Sequence, residues 1–342
     1  MQCIISTIEE LYRYKNSIDK VYKYYGMMPQ HSFYCYYVKL KKSKHNDIII
    51  FLDDSIPIVV AFEKRKKDGI YQSIADLYPI MGKYDSIAEI KRVILCLANN
   101  FNIDCFYFPL MNASLQFSKD AVIDHDFMTW NRLECPIFRP HTLMPEETMY
   151  PLSYYHPHSR EKKLLRFAYV KELTPNEAPS IIQEVETMSW KCECKQDMIS
   201  RNQIDYYLYL IEHNIIKAYA LIDNKADTPI AYRLDAQIHD ILYVLKWSYN
   251  QDYRQYSPGY YLVARELFER YSDQRINEFN LYGSPDSLKD KIENARIQRI
   301  DCCFVLDDQS SALNLMKERL AHDQKVFEAY HAGLSIKTVY LK

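Results

Sequence analysis

The chain has 342 residues, of which 48% are hydrophobic and 26% charged, and its 43 basic and 45 acidic side chains give a formal net charge of −2. This length allows two domains, and the composition is that of an ordinary globular protein. The near balance of charge argues against nucleic acid as the main partner, because phosphate contacts usually leave a clear basic excess.

The first residues and the cysteines bear on the compartment. The opening segment MQCIISTIEELYRYK lacks a basic region followed by an apolar core, so no signal peptide is evident. Apolar runs such as Ile48–Leu52 are too short to cross a bilayer. We therefore predict a cytoplasmic protein with no membrane span, whose nine cysteines are reduced and mostly buried. Cys192-x-Cys194 and Cys302-Cys303 lack the spacing of a zinc knuckle, so no metal site is predicted.

Residues 1–135 predict a mixed α/β unit. Strand-like apolar runs occupy Ile48–Leu52, Ile56–Glu63 and Ile103–Phe108, and a helical pattern precedes the last of them. Five prolines then fall within twenty-two residues, from Pro136 to Pro157. Because few helices or central strands survive that density of proline, we predict a connector over residues 136–165.

Residues 166–342 predict a second α/β unit. Thr174-Pro175-Asn176-Glu177 is a capping box with proline at the first helical position, which predicts a helix over Pro175–Met188. The further predicted elements are a helix over Met198–Glu212, several strands, a helix over Pro258–Tyr271, a strand over Ile276–Tyr282, a helix over 287–297, a strand over Arg299–Leu306, and a terminal helix over Ser311–Ala332 closed by Gly333.

The two halves repeat one order of elements. The matched segments are Ile48–Leu52 with Ala218–Ile222, Ile56–Glu63 with Pro229–Asp235, Tyr84–Ser86 with Tyr256–Pro258, and Ile103–Phe108 with Ile276–Tyr282. A repeat at this scale predicts two copies of one α/β unit. The second copy has Gly259 where the first has Ile87, and a β-branched side chain would obstruct close approach to a phosphate. We therefore expect the second copy to hold a cofactor and the first to have lost it.

The stretch 241–289 reads as strand, glycine-bearing loop, helix, strand and turn. The chain has only six glycines, yet Gly259 and Gly283 lie at the two turns of this stretch. Glycine permits close approach of the backbone to a ligand, and the first N–H groups of a helix face an anion. The stretch therefore predicts a site for a phosphate-bearing cofactor, with the strand Ile241–Asn250 pairing with its extended arm.

Three motifs occur in a fixed order: Ser189-Trp190-Lys191, then Tyr253-x-x-Tyr256-Ser257-Pro258-Gly259, then Gly283-x-x-Asp286-x-x-Lys289. In order and spacing they resemble the CelD/BcsL-type acetyltransferases, a double-GNAT group related to the FemX/FemAB aminoacyltransferases. The resemblance covers Thr174 to about Ile300 well and residues 1–165 only in outline. It implies a mixed α/β sheet built as two tandem GNAT-like units. Leu288 departs from the family, which usually has tyrosine before the final lysine, so a phenol is missing at that place.

The resemblance also implies which residues form the site. Acyl-CoA, or an acyl-phosphopantetheine, would lie against Lys246, Trp247, Ser248, Gln255, Tyr256, Ser257, Gly259 and Tyr260, with the thioester carbonyl near 246–248. Trp190, Lys191 and Asp286 would contact the acceptor, and Asp235, Lys289 and Tyr282 are the candidate catalytic residues. Asp286 has the alternative role of a helix cap, and Asp235 that of a solvated surface residue. GNAT enzymes commonly use a water chain in place of a side-chain base.

We therefore predict an N-acyltransferase. It would move an acyl group from acyl-CoA or an acyl-carrier protein to the amine of a small metabolite, an amino acid or an amino sugar by direct attack on the thioester. Two alternatives stay open. One is a FemX-like aminoacyltransferase that uses charged tRNA, against which the near-neutral charge counts; the other is a non-catalytic binding or scaffold protein of the same shape. The resemblance points to biosynthetic pathways, but no residue identifies one.

Overall fold

The computed structural model describes residues 2–44, 47–53, 55, 57–82, 87–112, 127–140, 159–271, 275–286, 288–306 and 311–332. The chain divides into two compact units: unit 1 comprises Met1–Glu134 and Ile297–Lys342, and unit 2 comprises Cys135–Arg296. Within the described ranges, no helix has the length and apolar content needed to cross a lipid bilayer. Residues 141–158 of the predicted connector lie outside these ranges, as do the Tyr84–Ser86 loop and Gly333.

Unit 1 is a mixed sheet with helices on both faces. Its elements include the helices α1 (Ile8–Arg13), α2 (Lys15–Tyr25), α3 (Phe33–Lys42), α4 (Ile87–Phe101) and α11 (Ser311–His331), and the strands β1 (Gln2–Ile5), β2 (Ile48–Asp53), β3 (Ile58–Lys64), β4 (Tyr71–Ser73), β5 (Ile80–Gly82), β6 (Cys105–Asn112) and β13 (Ala295–Val305). The strand order is β1-β2-β3-β4-β6-β13, with β5 beside β3. The pair β4–β6 is parallel, and the pairs β1–β2, β2–β3, β3–β4, β3–β5 and β6–β13 are antiparallel.

The burial of β2 explains why its sequence is apolar from Ile48 to Leu52. Successive side chains of a strand point to opposite faces of the sheet. Ile49 and Phe51 pack in the core that contains α4, whereas Ile50 and Leu52 pack in the core that contains α1, α2 and α3. Both faces of the strand are therefore covered, and alternation of apolar and polar residues would bury polar groups.

The C-terminal segment belongs to unit 1, which corrects the predicted domain of 166–342. The strand β13 pairs with β6 through Arg299–Val305, and Ala312 and Met316 of α11 pack in the same core as Tyr107 of β6. This pairing joins segments that are far apart in sequence. Local sequence patterns do not indicate such contacts. The prediction therefore assigned the segment to the same domain as the residues that precede it in the chain.

Unit 2 is a second mixed sheet. Its elements are the end of strand β7 (Phe127–Phe138), α5 (Ser159–Leu164), β8 (Ala168–Glu172), α6 (Ala178–Thr187), α7 (Trp190–Glu193), α8 (Ile204–Glu212), β9 (Lys217–Asp223), β10 (Thr228–Ile238), β11 (Ile241–Tyr249), α9 (Pro258–Tyr260), a π-helical turn (Tyr261–Arg265), α10 (Glu266–Arg270) and β12 (Glu278–Asn280). The strand order is β8-β9-β10-β11-β12-β7. The pair β11–β12 is parallel and the other pairs are antiparallel.

The predicted repeat is present in the topology of the two units. In unit 1, β1 to β4 follow one another antiparallel, and α4 then leads to β6, which is parallel to β4. In unit 2, β8 to β11 follow one another antiparallel, and the helices α9 and α10 lead to β12, which is parallel to β11. The predicted fold class, a mixed α/β fold of two GNAT-like units, is therefore confirmed.

Two predicted helices of the second unit begin later than predicted, and a third predicted helix is not present. The helix predicted over Pro175–Met188 is α6, which begins at Ala178, because the carboxylate of Glu177 accepts hydrogen bonds from the Thr174 N–H and hydroxyl and closes a turn first. The helix predicted over Met198–Glu212 begins at Ile204. The helix predicted over 287–297 is wrong: a 3₁₀ turn covers Lys289–Lys291, and β13 starts at Ala295.

Candidate functional site

The strand β11 is longer than its parallel partner, and this difference opens an edge of the sheet. On one side, β11 pairs with β10 from Ile241 to Tyr249. On the other side, it pairs with β12 only from Ile241 to Tyr243. From Val244 onward, no described strand of unit 2 pairs with this edge of β11. We call residues 244–249 the open edge; an open edge offers backbone N–H and C=O groups to an extended ligand.

A β-bulge lies at the start of the open edge. Leu234 of β10 lies opposite Lys246, but the next residue, Asp235, lies opposite Val244, so Leu245 is the extra residue. A bulge locally disrupts the ladder and turns the following side chains. Past the bulge, Lys246 and Ser248 share one face of the sheet and Trp247 shares the other with Tyr249, because side chains alternate.

The loop after β11 packs closely on the strand. Ser257 is in the left-handed region, with φ of 54°, and precedes the helix that starts at Pro258. Gly259 is buried, and a Cβ placed on it would lie 2.7 Å from Cζ3 of Trp247 and 3.1 Å from Cδ1 of Tyr249. Glycine is required here because the strand's aromatic rings fill the space.

Other predicted cofactor residues of this loop have varied surroundings. Gln255 is exposed, and Tyr256 and Tyr260 are half-buried. The ring of Tyr256 makes an edge contact with Phe167, with ring centroids 5.2 Å apart. The Ser257 N–H donates to the Arg254 carbonyl at 3.1 Å, so it is occupied within the loop.

Replacing Gly259 with alanine should therefore destabilise the protein. Overpacking of a close contact costs about 1–3 kcal/mol, which outweighs the helix preference of alanine over glycine, about 1 kcal/mol. Chemical denaturation of the variant measures the loss. Adding Trp247→Phe should make the double variant lose less than the sum of the two single changes. Additive losses, or no loss in Gly259→Ala, would show that the ring moves aside freely.

Asp235, the sequence-based choice of general base, lies inside a buried ionic network. Its carboxylate accepts from Arg233 Nε at 2.8 Å and Nη2 at 2.8 Å, and from the Tyr271 hydroxyl at 3.3 Å. Arg233 also donates to Glu266 at 2.6 Å and to the Leu262 carbonyl in the π-helical turn. Burial raises the pKa of Asp235, while the Arg233 charge opposes this. A carboxylate so enclosed cannot reach a substrate proton, so the assignment as base is wrong on position.

Lys191 lies at the open edge. Its Nζ donates to the carbonyl oxygen of Trp247 and lies 5.2 Å from the centroid of the Trp247 ring. The pKa of Lys191 is lowered to about 8, chiefly by burial; Glu186 opposes the shift, and the charges of Lys246 and Lys289 contribute to it. The structure thus brings together three lysines that the sequence placed in one site.

The turn after β12 holds Lys289 and Asp286 in bonds of its own. Tyr282 and Gly283 have φ of 44° and 85°. The Lys289 Nζ donates to the carbonyl of Tyr282 at 2.7 Å and to that of Ser284 at 2.9 Å. Asp286 Oδ1 accepts from the Lys289 N–H at 3.0 Å, which is the capping role expected as its alternative. This geometry indicates that Lys289 and Asp286 shape the turn, and a catalytic role for Lys289 or Tyr282 stays a prediction.

Several residues of this region were not singled out from the sequence. Glu186 is buried and accepts from the Met198 N–H at 2.5 Å and from the Tyr232 hydroxyl. Ser189 is buried, and its hydroxyl has no partner among the described residues. The sequence signal for Glu186 was a carboxylate on the apolar face of α6, one turn after Ile182.

The cysteines form no disulfides in the described residues. All nine are free; Cys192 and Cys194 are exposed, and Cys302 and Cys303 are buried. In the part of the chain that the structure describes, no group of three His, Cys, Asp or Glu side chains is placed to hold a metal ion.

Comparison with known proteins identifies the fold. No family model matches the chain, and no curated protein matches it. Among solved structures, a conserved protein of unknown function from Bacteroides thetaiotaomicron has 12% identity and a TM-score of 0.61, covering 89% of this chain and 100% of that chain. The C-terminal domain of a putative lysylphosphatidylglycerol synthetase from Agrobacterium fabrum has 11% identity and a TM-score of 0.59, covering 91% and 96%. FemX has 10% identity and a TM-score of 0.58, covering 90% and 97%. The chain therefore has the fold shared by FemX and this synthetase domain.

Proposed function

We propose that unit 2 is an acyltransferase that moves an acyl group from an activated carrier to the amine of a small metabolite, an amino acid or an amino sugar. The observation that carries this proposal is the open edge of β11. A strand that outruns its parallel neighbour offers a row of backbone donors and acceptors, and an extended ligand with amide groups can pair with it as an added strand. A pantetheine arm is such a ligand.

The donor in this proposal is acyl-CoA, or the acyl-phosphopantetheine of a carrier protein. Its amides pair with the open edge, and its diphosphate lies at the start of the helix that begins at Pro258. Proline has no N–H and that of Ser257 is bonded to Arg254. The first-turn amides of Gly259 and Tyr260 are then the donors that helix geometry directs toward an anion. These two N–H donors are fewer than the loop sequence predicted.

The reaction in this proposal is direct attack. The acceptor amine forms a C–N bond with the thioester carbonyl, the C–S bond breaks, and the thiol leaves with the proton that the amine loses. Asp235 takes no part, so water carries this proton from the amine to the leaving sulfur. We include in this proposal that the protein is an acetyltransferase of the CelD/BcsL type. We also include that unit 1 has lost the ability to bind the donor. There β4 spans only Tyr71–Ser73, too short to leave an open edge.

A second candidate is favoured by the fold itself. The lysylphosphatidylglycerol synthetase is named for transfer of a lysyl group, and FemX has the same fold. In this alternative the donor is an aminoacyl ester carried by tRNA. The net charge of −2 counts against tight binding of bulk RNA.

Calorimetric titration separates these donors. The titrants are CoA, acetyl-CoA, longer acyl-CoAs, pantetheine, an acyl-carrier protein and charged tRNA. The proposal expects micromolar binding of CoA, with weaker binding of pantetheine alone because the helix start is then unused. Binding of charged tRNA that weakens steeply with salt, without binding of CoA or carrier protein, would establish the second candidate. Binding of none of these donors would leave a non-catalytic protein with this fold.

A further inference from the structure

Cations converge on the open edge from separate elements. Lys191 comes from α7, Lys246 from β11, Lys289 from the turn after β12, and Arg201 from the turn before α8. All three of the others are close enough to Lys191 to repel its charge, and Glu186 is the opposing anion. The carboxylate of Glu186 is already engaged by the Met198 N–H and the Tyr232 hydroxyl.

Two of these lysines are placed to meet a ligand. Lys191 and Lys246 are both partly exposed. The Nζ of Lys246 lies 5.7 Å from the ring centroid of Tyr207 on α8. An ammonium has three N–H donors, and the described contact of Lys191 with Trp247 uses one of them. Lys191 thus retains donors for an oxyanion.

Two buried hydroxyls lie two residues away from these lysines in the chain. The Gln251 N–H donates to the Met188 carbonyl at 3.1 Å, which holds the segment preceding α7 against the end of β11. Ser189 and Ser248 lie on these two segments, are 2% and 1% exposed, and have hydroxyls without a hydrogen-bond partner among the described residues. A buried polar group without a partner costs about 1–3 kcal/mol. Two such groups on segments that this hydrogen bond joins indicate a site that a ligand or ordered water completes.

The other charged groups near the edge offset only part of the charge of the cations: Asp286 Oδ2 lies 3.6 Å from the Nζ of Lys289 and pairs with it. Asp197 Oδ1 accepts from the Ser200 N–H at 2.7 Å, and Asp286 caps the turn of Lys289. Tyr232 stays neutral, since burial and then the Glu186 charge raise its pKa well above the usual range. The open edge therefore presents positive charge to a ligand.

We propose that the open edge binds the anionic group of an amino-acid-like acceptor, a carboxylate or phosphate held by Lys191 and Lys246, with the hydroxyls of Ser189 and Ser248 completing the site. The inference rests on the proposed function in one respect: the acceptor's amine lies beside the donor's acyl group on the same edge. Because the two hydroxyls are closed off from solvent, the short helix α7 shifts when the ligand reaches them.

Titration of small amines without any acyl donor tests this site. The probes are glycine, phosphoethanolamine and ethylamine at matched ionic strength, with millimolar affinities measured by calorimetry or thermal shift. We expect glycine or phosphoethanolamine to bind and ethylamine, which has no anion, not to bind. The tighter of the two anions identifies the group as carboxylate or phosphate. Lys191→Met and Lys246→Met should each weaken binding at least about tenfold, since a hydrogen bond to a charged group contributes about 1.5–3 kcal/mol.

Control variants separate a binding role from a structural one. Lys225→Met removes an exposed lysine of unit 2 and should leave the affinity unchanged. Ser248→Ala should raise or preserve the melting temperature of the free protein, because an unpartnered hydroxyl is removed, yet weaken anion binding. Equal binding of ethylamine, unchanged affinity in Lys191→Met, or binding of neither anion would overturn the proposal. Absence of binding of both CoA and the acyl-carrier protein would overturn the proposed function alone, because these titrations contain no donor.

Discussion

Arg233→Met should destabilise the protein by about 3–5 kcal/mol, because it leaves the carboxylate of Asp235 buried without its cation. Glu266 loses one of its two cations and keeps Arg270. Arg233 is fully buried and bonds to both carboxylates and to the carbonyl of Leu262. These contacts join the strand β10 to the helical segment that follows the Ser257–Gly259 loop. Denaturant unfolding measures the change through the midpoint and slope.

Lys217→Met is the matched control. Lys217 pairs with Glu172 at 3.3 Å on the surface of unit 2, where the two side chains are 61% and 49% exposed. Such pairs contribute about 0–1 kcal/mol, so this variant should unfold close to the wild type. A loss in Arg233→Met no larger than the control loss would show that the buried carboxylates simply take up protons, and that the network adds little stability.

The stability of the wild type relative to Lys191→Met should rise as pH increases from about 8 to about 10.5. Burial and neighbouring cations lower the pKa of Lys191 from 10.5 to about 8 in the folded protein. Below about pH 8 the ammonium is present in both states, and the folded state bears its penalty. Between the two values the unfolded chain binds more protons, so stability rises with pH. Above about 10.5 the penalty is gone, for a total of at most about 3 kcal/mol.

Thermal or chemical unfolding of both proteins at a series of pH values tests this. Comparison with Lys191→Met cancels the contributions of the other titrating groups. Lys225→Met should show the wild-type profile, because Lys225 is exposed. Parallel profiles for the wild type and Lys191→Met would mean that the Lys191 ammonium is well solvated, and the convergence of cations at the open edge would then lose its electrostatic support.

The location of the site was largely predictable from the sequence, but the roles of its residues were not. The order of strand, loop, helix and strand between 241 and 282 identified β11 and its loop. Lys191 and Lys289 were named from the motifs and Lys246 from the family resemblance, and the charges of Lys246 and Lys289 do act on Lys191. Asp235 was named as a base because an acidic residue on a strand reads as accessible, whereas Arg233, two residues away on the same face, encloses it.

Local patterns by themselves determined the order of the elements and most of their kinds, the helix predicted over 287–297 being the exception. Apolar runs, the helical period and the repeat of one topology are written in neighbouring residues, and the repeat was recognised on that basis. Tertiary structure alone decided three things: the return of β13 to unit 1, the reason for Gly259, and the open edge. Each depends on a distance between segments far apart in the chain. Trp247 excludes a side chain at 259 because its ring lies there, and β11 is open because β12 ends first. Neither fact can be predicted from the residues that neighbour these positions in the sequence.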